Sequence, residues 1–287
     1  MSKKDVCLCS SAKREFTFFL TFDRSVVRQH LYESGIKHKP YTLYRYETEL
    51  KLRKILAESS SLVHVMCANT LDIVKRDGYS ITGNIALIAH SGYLSRDVVD
   101  VDLFRKVNNI SLRDIVFVVF GNIKKYKGIE RIARAFETFQ HGLDERKAHL
   151  VILGEARYEL KFKSIPGIHI IRGEVSESAL DGILKASDAS IFNYNPESFL
   201  NSGSVMRSLS AGLPVVAPRI GCLESYLSNE FSVTFDTNRP LGLEEALQEA
   251  SQRLVGNEEA RNAAAAFAKT RSISMMSMLF RRRISLL

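Results

Sequence analysis

The stretch best equipped for chemistry is residues 193–221, NYNPESFLNSGSVMRSLSAGLPVVAPRIG. Its pattern reads as a strand end, a loop carrying Asn201-Ser202-Gly203-Ser204, and a helix that begins at once. A helix start offers unpaired backbone N–H groups and the positive end of the helix dipole, and a glycine there lets an anion approach the backbone closely. With two serine hydroxyls added, Ser202, Gly203 and Ser204 are sufficient to seat a diphosphate. The plainer alternative is a serine that does no more than cap its helix. A second strand-to-helix loop, Gly121-Asn122-Ile123-Lys124-Lys125-Tyr126-Lys127-Gly128, supplies lysine to balance phosphate charge. Lys124 and Lys125 read equally well as a solvated charge run. Lys127, immediately before a glycine that opens the next helix without a side chain in the way, is the one expected to hold an anion.

The elements that must position these loops can be read from hydrophobic periodicity. From about Arg113 onward, short apolar runs alternate with amphipathic helices. The predicted strands are Ile115–Phe120, His149–Leu153, Ile168–Ile171, Ala189–Asn193, Leu213–Ala217 and Ser232–Phe235. Between them, Gly128–Gln140, Ser176–Ala186, Ser204–Ala211, a short stretch near Leu223, Gly242–Leu254 and Glu258–Lys269 carry helical spacing. Strands apolar on both faces, each followed by a helix, predict a parallel sheet covered on both sides in a doubly wound α/β domain. Such sheets bind ligands beyond the carboxyl ends of their strands, where both loops above fall. The first part is thinner: strands at Phe16–Phe22, Leu62–Cys67 and Ile85–Ala89, a helix at Glu47–Glu58, and a helix capped by Asn69. The expected division is 1–95 for a reduced N-terminal domain, 96–112 for a linker, 113–269 for the main domain and 270–287 for a C-terminal helix or tail.

Composition bounds the partners. A chain of 287 residues, 45% hydrophobic and 25% charged, can build a sizeable core. No run reaches the roughly 18 consecutive apolar residues of a membrane span, and no signal-peptide pattern opens the chain, so a cytoplasmic protein is expected. The formal charge of +8 calls for an anionic partner. The basic residues lie scattered, without the interleaved aromatics of single-strand binders, which argues against nucleic acid. Cys7, Cys9, Cys67 and Cys222 show no zinc spacing and are expected as free thiols, with no metal site. The tail 271–287, RSISMMSMLFRRRISLL, reads as a helix crossing back to the first domain. Its alternative reading is a basic amphipathic contact with a membrane surface.

Four segments resemble group 1 (family-4-like) glycosyltransferases in the right order and spacing. FGNIKKYKGIERIARAF (120–136) is similar to the family's glycine–lysine–glycine loop and helix, and LVILGEA (150–156) to its next strand. IRGEVSESALDGILKASDASIF (171–192) and SGSVMRSLSAGLPVVAPRIGCLES (202–225) resemble the two segments that follow. The resemblance implies a GT-B fold: two facing doubly wound domains, with a nucleotide sugar held mainly by the second. By position it implies that Gly121, Lys127, Ser202, Gly203 and Ser204 hold the donor diphosphate. Gly173, Glu174 and Val175 would meet the base and ribose, and Gly221 would lie near the donor. His90 matches the histidine of the family's interdomain segment, although Ala89 stands where proline is usual and the glycine is displaced to Gly92.

The departures from the family's pattern are specific. Its Glu-x7-Glu pair falls on Phe199 and Arg207, leaving Glu197 as a nearby substitute, and Asn122 replaces the usual arginine of the phosphate loop. His90 and Glu197 are thus the candidates for catalysis, with no assigned base. The N-terminal half lacks a glycine-rich opening turn and resembles only the last part of an acceptor domain. The expected activity is metal-independent hexosyl transfer, without cofactor, from a nucleotide sugar to a saccharide or lipid-linked acceptor in surface polysaccharide assembly. The alternatives are a non-catalytic nucleotide-sugar-binding or partner subunit and a nicotinamide-dinucleotide enzyme, the latter opposed by the missing G-x-G-x-x-G.

Overall fold

The computed structural model describes residues 6–10, 16–21, 62–65, 67, 80, 84–88, 91–93, 101–143, 146–156, 158–162, 164–194 and 202–284. The described residues form two sheets. In the first, β1 (Val6–Ser10) pairs antiparallel with β2 (Phe16–Thr21), which runs parallel to β3 (Leu62–Val65) and then β4 (Asn84–Leu87). β1 was not anticipated from sequence. The helices expected at Glu47–Glu58 and after Asn69 lie outside the described residues.

The second sheet holds six parallel strands: β5 (Ile115–Phe120), β6 (Ala148–Gly154), β7 (Ile168–Arg172), β8 (Ala189–Ile191), β9 (Val215–Pro218) and β10 (Ser232–Phe235), in the order β10-β9-β8-β5-β6-β7. Its helices are α1 (Val101–Val107), α2 (Ile129–His141), α3 (Glu177–Ala186), α4 (Gly203–Ser210), α5 (Gly221–Tyr226), α6 (Gly242–Arg253), α7 (Glu258–Thr270) and α8 (Ile273–Ile284).

β5 shows why a strand with no polar residue folds here. Val116, Val118 and Phe120 enter one core, shared with α3, α4, α5 and α7. Ile115, Phe117 and Val119 enter a second core on the opposite face, shared with α2 and α6. Successive side chains of a strand point to opposite faces, so only an unbroken apolar run fits a sheet buried on both sides. Full burial of a residue such as Phe117 contributes about 1.5–3 kcal/mol.

The stretch expected as a linker contains α1, tied to the main domain by Arg105. This buried guanidinium donates to Ala186 O, Ser111 O and Asp114 O at 2.9–3.0 Å and to Asp188 Oδ2 at 3.1 Å. On the other side, the Gly92 N–H donates to Arg271 O at 2.6 Å and the Tyr93 N–H to Ser210 Oγ at 2.9 Å. The chain leaving the first sheet is thereby seated on the end of α4 and on the junction of α7 with α8. Met276 of α8 is buried against Ile88, just beyond β4.

Candidate functional site

The order of the second sheet fixes where a ligand fits. After β5 the chain moves outward through β6 to β7, then crosses back to place β8 on the other side of β5. The crevice beyond the carboxyl ends of β5 and β8 is therefore the switch point at which open parallel sheets bind ligands. The loop after β5 is 121–128, and the segment leaving β8 leads to α4.

Gly121 ends β5 with a φ of +89°, a left-handed conformation that glycine adopts without strain. A Cβ placed on Gly121 would lie 3.1 Å from Lys127 Nζ and 3.3 Å from Ser204 Oγ. Three of the residues singled out in the sequence, from two loops more than 70 positions apart, thus meet around one space that a side chain would fill.

Lys127 ends a 3-10 turn (Lys125–Lys127) and is 4% exposed. Its Nζ donates to Phe120 O at 2.8 Å. Burial, and secondarily the charge of Lys124, bring its pKa down from the ordinary lysine range to about 7. An ammonium has three donors, one of them committed to Phe120, and this one gains or loses its charge near neutral pH. Gly128 follows with φ +58°, and a Cβ there would come within 2.4 Å of Asn193 Nδ2, so the turn closes tightly against the segment that leaves β8.

The start of α4 divides its labour between two serines. Ser202 is buried and is the helix cap: its Oγ accepts from the Val205 N–H at 3.1 Å and is bonded to the Tyr194 hydroxyl at 2.7 Å. Gly203 is exposed and Ser204 half-buried, and it is Ser204 that faces Gly121 and Lys127. The capping alternative read from sequence thus describes Ser202, while Ser204 carries the hydroxyl that reaches the cradle.

Gly173, Glu174 and Val175 follow β7, two strands from β5 and so about 10 Å across the sheet, at the same carboxyl end. Space around Gly173 is open, Glu174 is exposed, and Val175 packs against the core beneath. Gly221 opens α5 after β9. His90 and Glu197 lie outside the described residues.

Two features at this end escaped the sequence reading. Cys222, next to Gly221, is disulfide-bonded to Cys67 beyond β3, with Cα atoms 5.6 Å apart. The expectation of four free thiols is corrected for this pair, which the fold brings together across 155 positions. The second feature is Arg207, which occupies the position of a family carboxylate. It is 7% exposed, pairs with Glu177 at 2.8 Å and with Asp181, and its guanidinium stacks 3.9 Å from the Tyr93 ring centroid. Arg207 Nε and Nη1 and Asp181 Oδ2 are buried without a hydrogen-bond partner. Glu177 and Asp181 at i and i+4 on α3 were the available signal, since that spacing puts both on one helical face.

A six-stranded parallel sheet with Gly121, Lys127 and Ser204 gathered at its switch point, joined to a second sheet through a returning C-terminal helix, is the architecture of a GT-B-type α/β protein. The family described as Glycosyl transferases group 1 matches residues 100–271, and the chain belongs to that family. No curated protein matches it by sequence. Among solved structures, sucrose-phosphate synthase from Thermosynechococcus elongatus aligns over 94% of this chain and 68% of its own, with TM-score 0.70 and 15% identity. WaaG, a glycosyltransferase involved in lipopolysaccharide biosynthesis, aligns over 89% and 70%, with TM-score 0.64 and 14% identity. Anabaena HepE in complex with UDP-glucose aligns over 84% and 68%, with TM-score 0.62 and 16% identity. At these identities the likeness is one of fold.

Proposed function

We propose that this protein transfers a hexosyl group from a nucleotide-sugar donor to a saccharide or lipid-linked acceptor in surface polysaccharide assembly. The observation that carries the reading is the convergence of Gly121, Lys127 Nζ and Ser204 Oγ at the switch point of a group 1 glycosyltransferase sheet. In such a transfer the bond from the anomeric carbon to the diphosphate oxygen breaks, and negative charge grows on the departing diphosphate. A protonated Lys127, the Ser204 hydroxyl and the N-terminus of α4 face that charge, and preorganised donors of this kind lower the barrier. We read the chemistry as metal-independent and cofactor-free, with positive charge supplied by the protein. Gly173, Glu174 and Val175 are assigned to the base and ribose, and Gly221 to the donor's surroundings, by their places at the same sheet end. HepE is described with UDP-glucose and starch synthase IV of Arabidopsis thaliana with ADP and acarbose, which supports a nucleotide sugar as donor here.

The acceptor side rests on charge and on α8. Ile273, Met275, Met278, Arg281 and Arg282 of this helix are exposed, on a chain of formal charge +8. Exposed apolar and cationic side chains on the same helix suit an anionic membrane surface, and we propose that the protein works at the cytoplasmic side of one. No described helix is long and apolar enough to cross a membrane.

The alternative, a nucleotide-sugar-binding subunit without catalysis, is favoured by one observation. Arg207 stands where the family carries a carboxylate, and its charge is engaged by Glu177 and Asp181. A thermal-shift panel of UDP, GDP, ADP and their sugar conjugates tests the donor site. A nucleotide at a hundredfold excess over its Kd adds about 2.7 kcal/mol of stability, and Lys127→Ala should abolish that gain. No shift with any of them would overturn the reading. A shift without sugar release, with or without acceptor, would select the non-catalytic subunit.

A further inference from the structure

We propose that Tyr194 is a positioning residue for the diphosphate cradle, holding its two halves in register. The inference rests on the donor-site reading above. Tyr194 lies three residues beyond the end of β8 and is 3% exposed. Its hydroxyl is bonded to Ser202 Oγ, the cap of α4, at 2.7 Å. It therefore holds the serine that caps α4, two positions before Ser204, whose Oγ faces Gly121. Its ring stacks on Tyr126, with centroids 5.7 Å apart and planes 24° apart, and on Phe192 at 5.6 Å and 26°. Tyr126 is the middle residue of the turn that ends in Lys127. One buried side chain thus ties the start of α4 through its hydroxyl bond to Ser202 and the lysine turn through its ring. A phenol can be buried here because its hydroxyl finds a polar partner at the helix start.

The two ends of Tyr194 can be tested separately. Tyr194→Phe removes the hydroxyl bond and keeps the ring stack, while Tyr126→Leu removes the stack from a half-buried position and keeps the hydroxyl bond. The readout is selectivity: the ratio of affinities, by titration calorimetry, for a nucleoside diphosphate and the matching monophosphate, which lacks the second phosphate. Each variant should lose about tenfold in diphosphate affinity, equivalent to about 1.4 kcal/mol, with monophosphate affinity changed less than about threefold. A fold-wide loosening would lower both affinities together, and that result would overturn the proposal, as would an unchanged ratio in either variant. If the wild-type protein bound no nucleoside diphosphate at all, the donor-site reading would fall and the role of Tyr194 with it. Wild-type binding with unaltered selectivity in the variants would remove the role of Tyr194 alone.

Discussion

At the scale of single residues, Lys127 is held in a condition unfavourable to its own charge. Its folded pKa of about 7 lies well below the ordinary 10.5. Between those values the unfolded chain binds a proton that the folded protein does not, so stability rises as pH increases from about 7 toward 10.5. As pH falls through that window the contribution is lost, and below about 7 the whole cost of burying the ammonium is imposed. Lys127→Met should therefore flatten the pH dependence of stability above neutrality and raise unliganded stability at pH 7 by more than about 1 kcal/mol. Urea unfolding at pH 7 and pH 9 checks this, and equal slopes in the two proteins would contradict it. Arg207 has the opposite balance. Removing it strands Asp181 in the interior, and Arg207→Met should cost about 3–5 kcal/mol, most of it recovered by adding Asp181→Leu. A single variant as stable as the parent would show that the pair is not desolvated.

At the scale of elements, the start of α4 separates the capping serine, Ser202, from Ser204, to which the proposal assigns the diphosphate. Ser202→Ala removes the cap and should cost about 1 kcal/mol of stability. Ser204→Ala should leave the melting temperature unchanged and weaken diphosphate affinity, so equal effects of the two would contradict the division between them. The exposed side chains of α8 make a prediction of their own. Juxtamembrane basic residues contribute about 1 kcal/mol each on anionic lipid, so replacing both Arg281 and Arg282 with serine should reduce co-sedimentation with anionic phospholipid vesicles about 30-fold. Undiminished binding would remove α8 from the membrane account.

These elements were also the most legible part of the sequence. All six strands of the second sheet and its helices from α2 to α7 lie where periodicity put them, because a sheet buried on both faces demands unbroken apolar runs and each helix must turn one stripe inward. What depends on distant partners was not legible. The Cys67–Cys222 pair, the seat of Arg207 between α3 and Tyr93, and the stack of Tyr194 on Tyr126 arise from crossovers that bring remote residues together. Local spacing carries no record of such meetings. Ser202 shows the same limit within one motif: the pattern Ser-Gly-Ser marks a helix start, but only the fold tells the capping serine from the one that faces Gly121 and Lys127.

At the scale of the whole molecule, two sheets are joined at several places near the proposed donor site. The chain from β4 is seated on α4 through Gly92 and Tyr93, α8 returns to Ile88, and Cys67 meets Cys222 beside Gly221. The proposed transfer depends on the space between β5 and α4, beside Lys127 and Ser204, binding a diphosphate. The most direct test is calorimetric titration of the best-stabilising nucleoside diphosphate at pH 8, in buffers of different ionisation enthalpy. A terminal phosphate is fully ionised there, its second pKa being about 6, so proton exchange reports on the protein. With Lys127 mostly neutral when unliganded and charged against the diphosphate, binding should take up close to one proton, and Lys127→Met should take up none. Binding without proton uptake in the wild-type protein would contradict the account, because the diphosphate would then be held somewhere other than against Lys127.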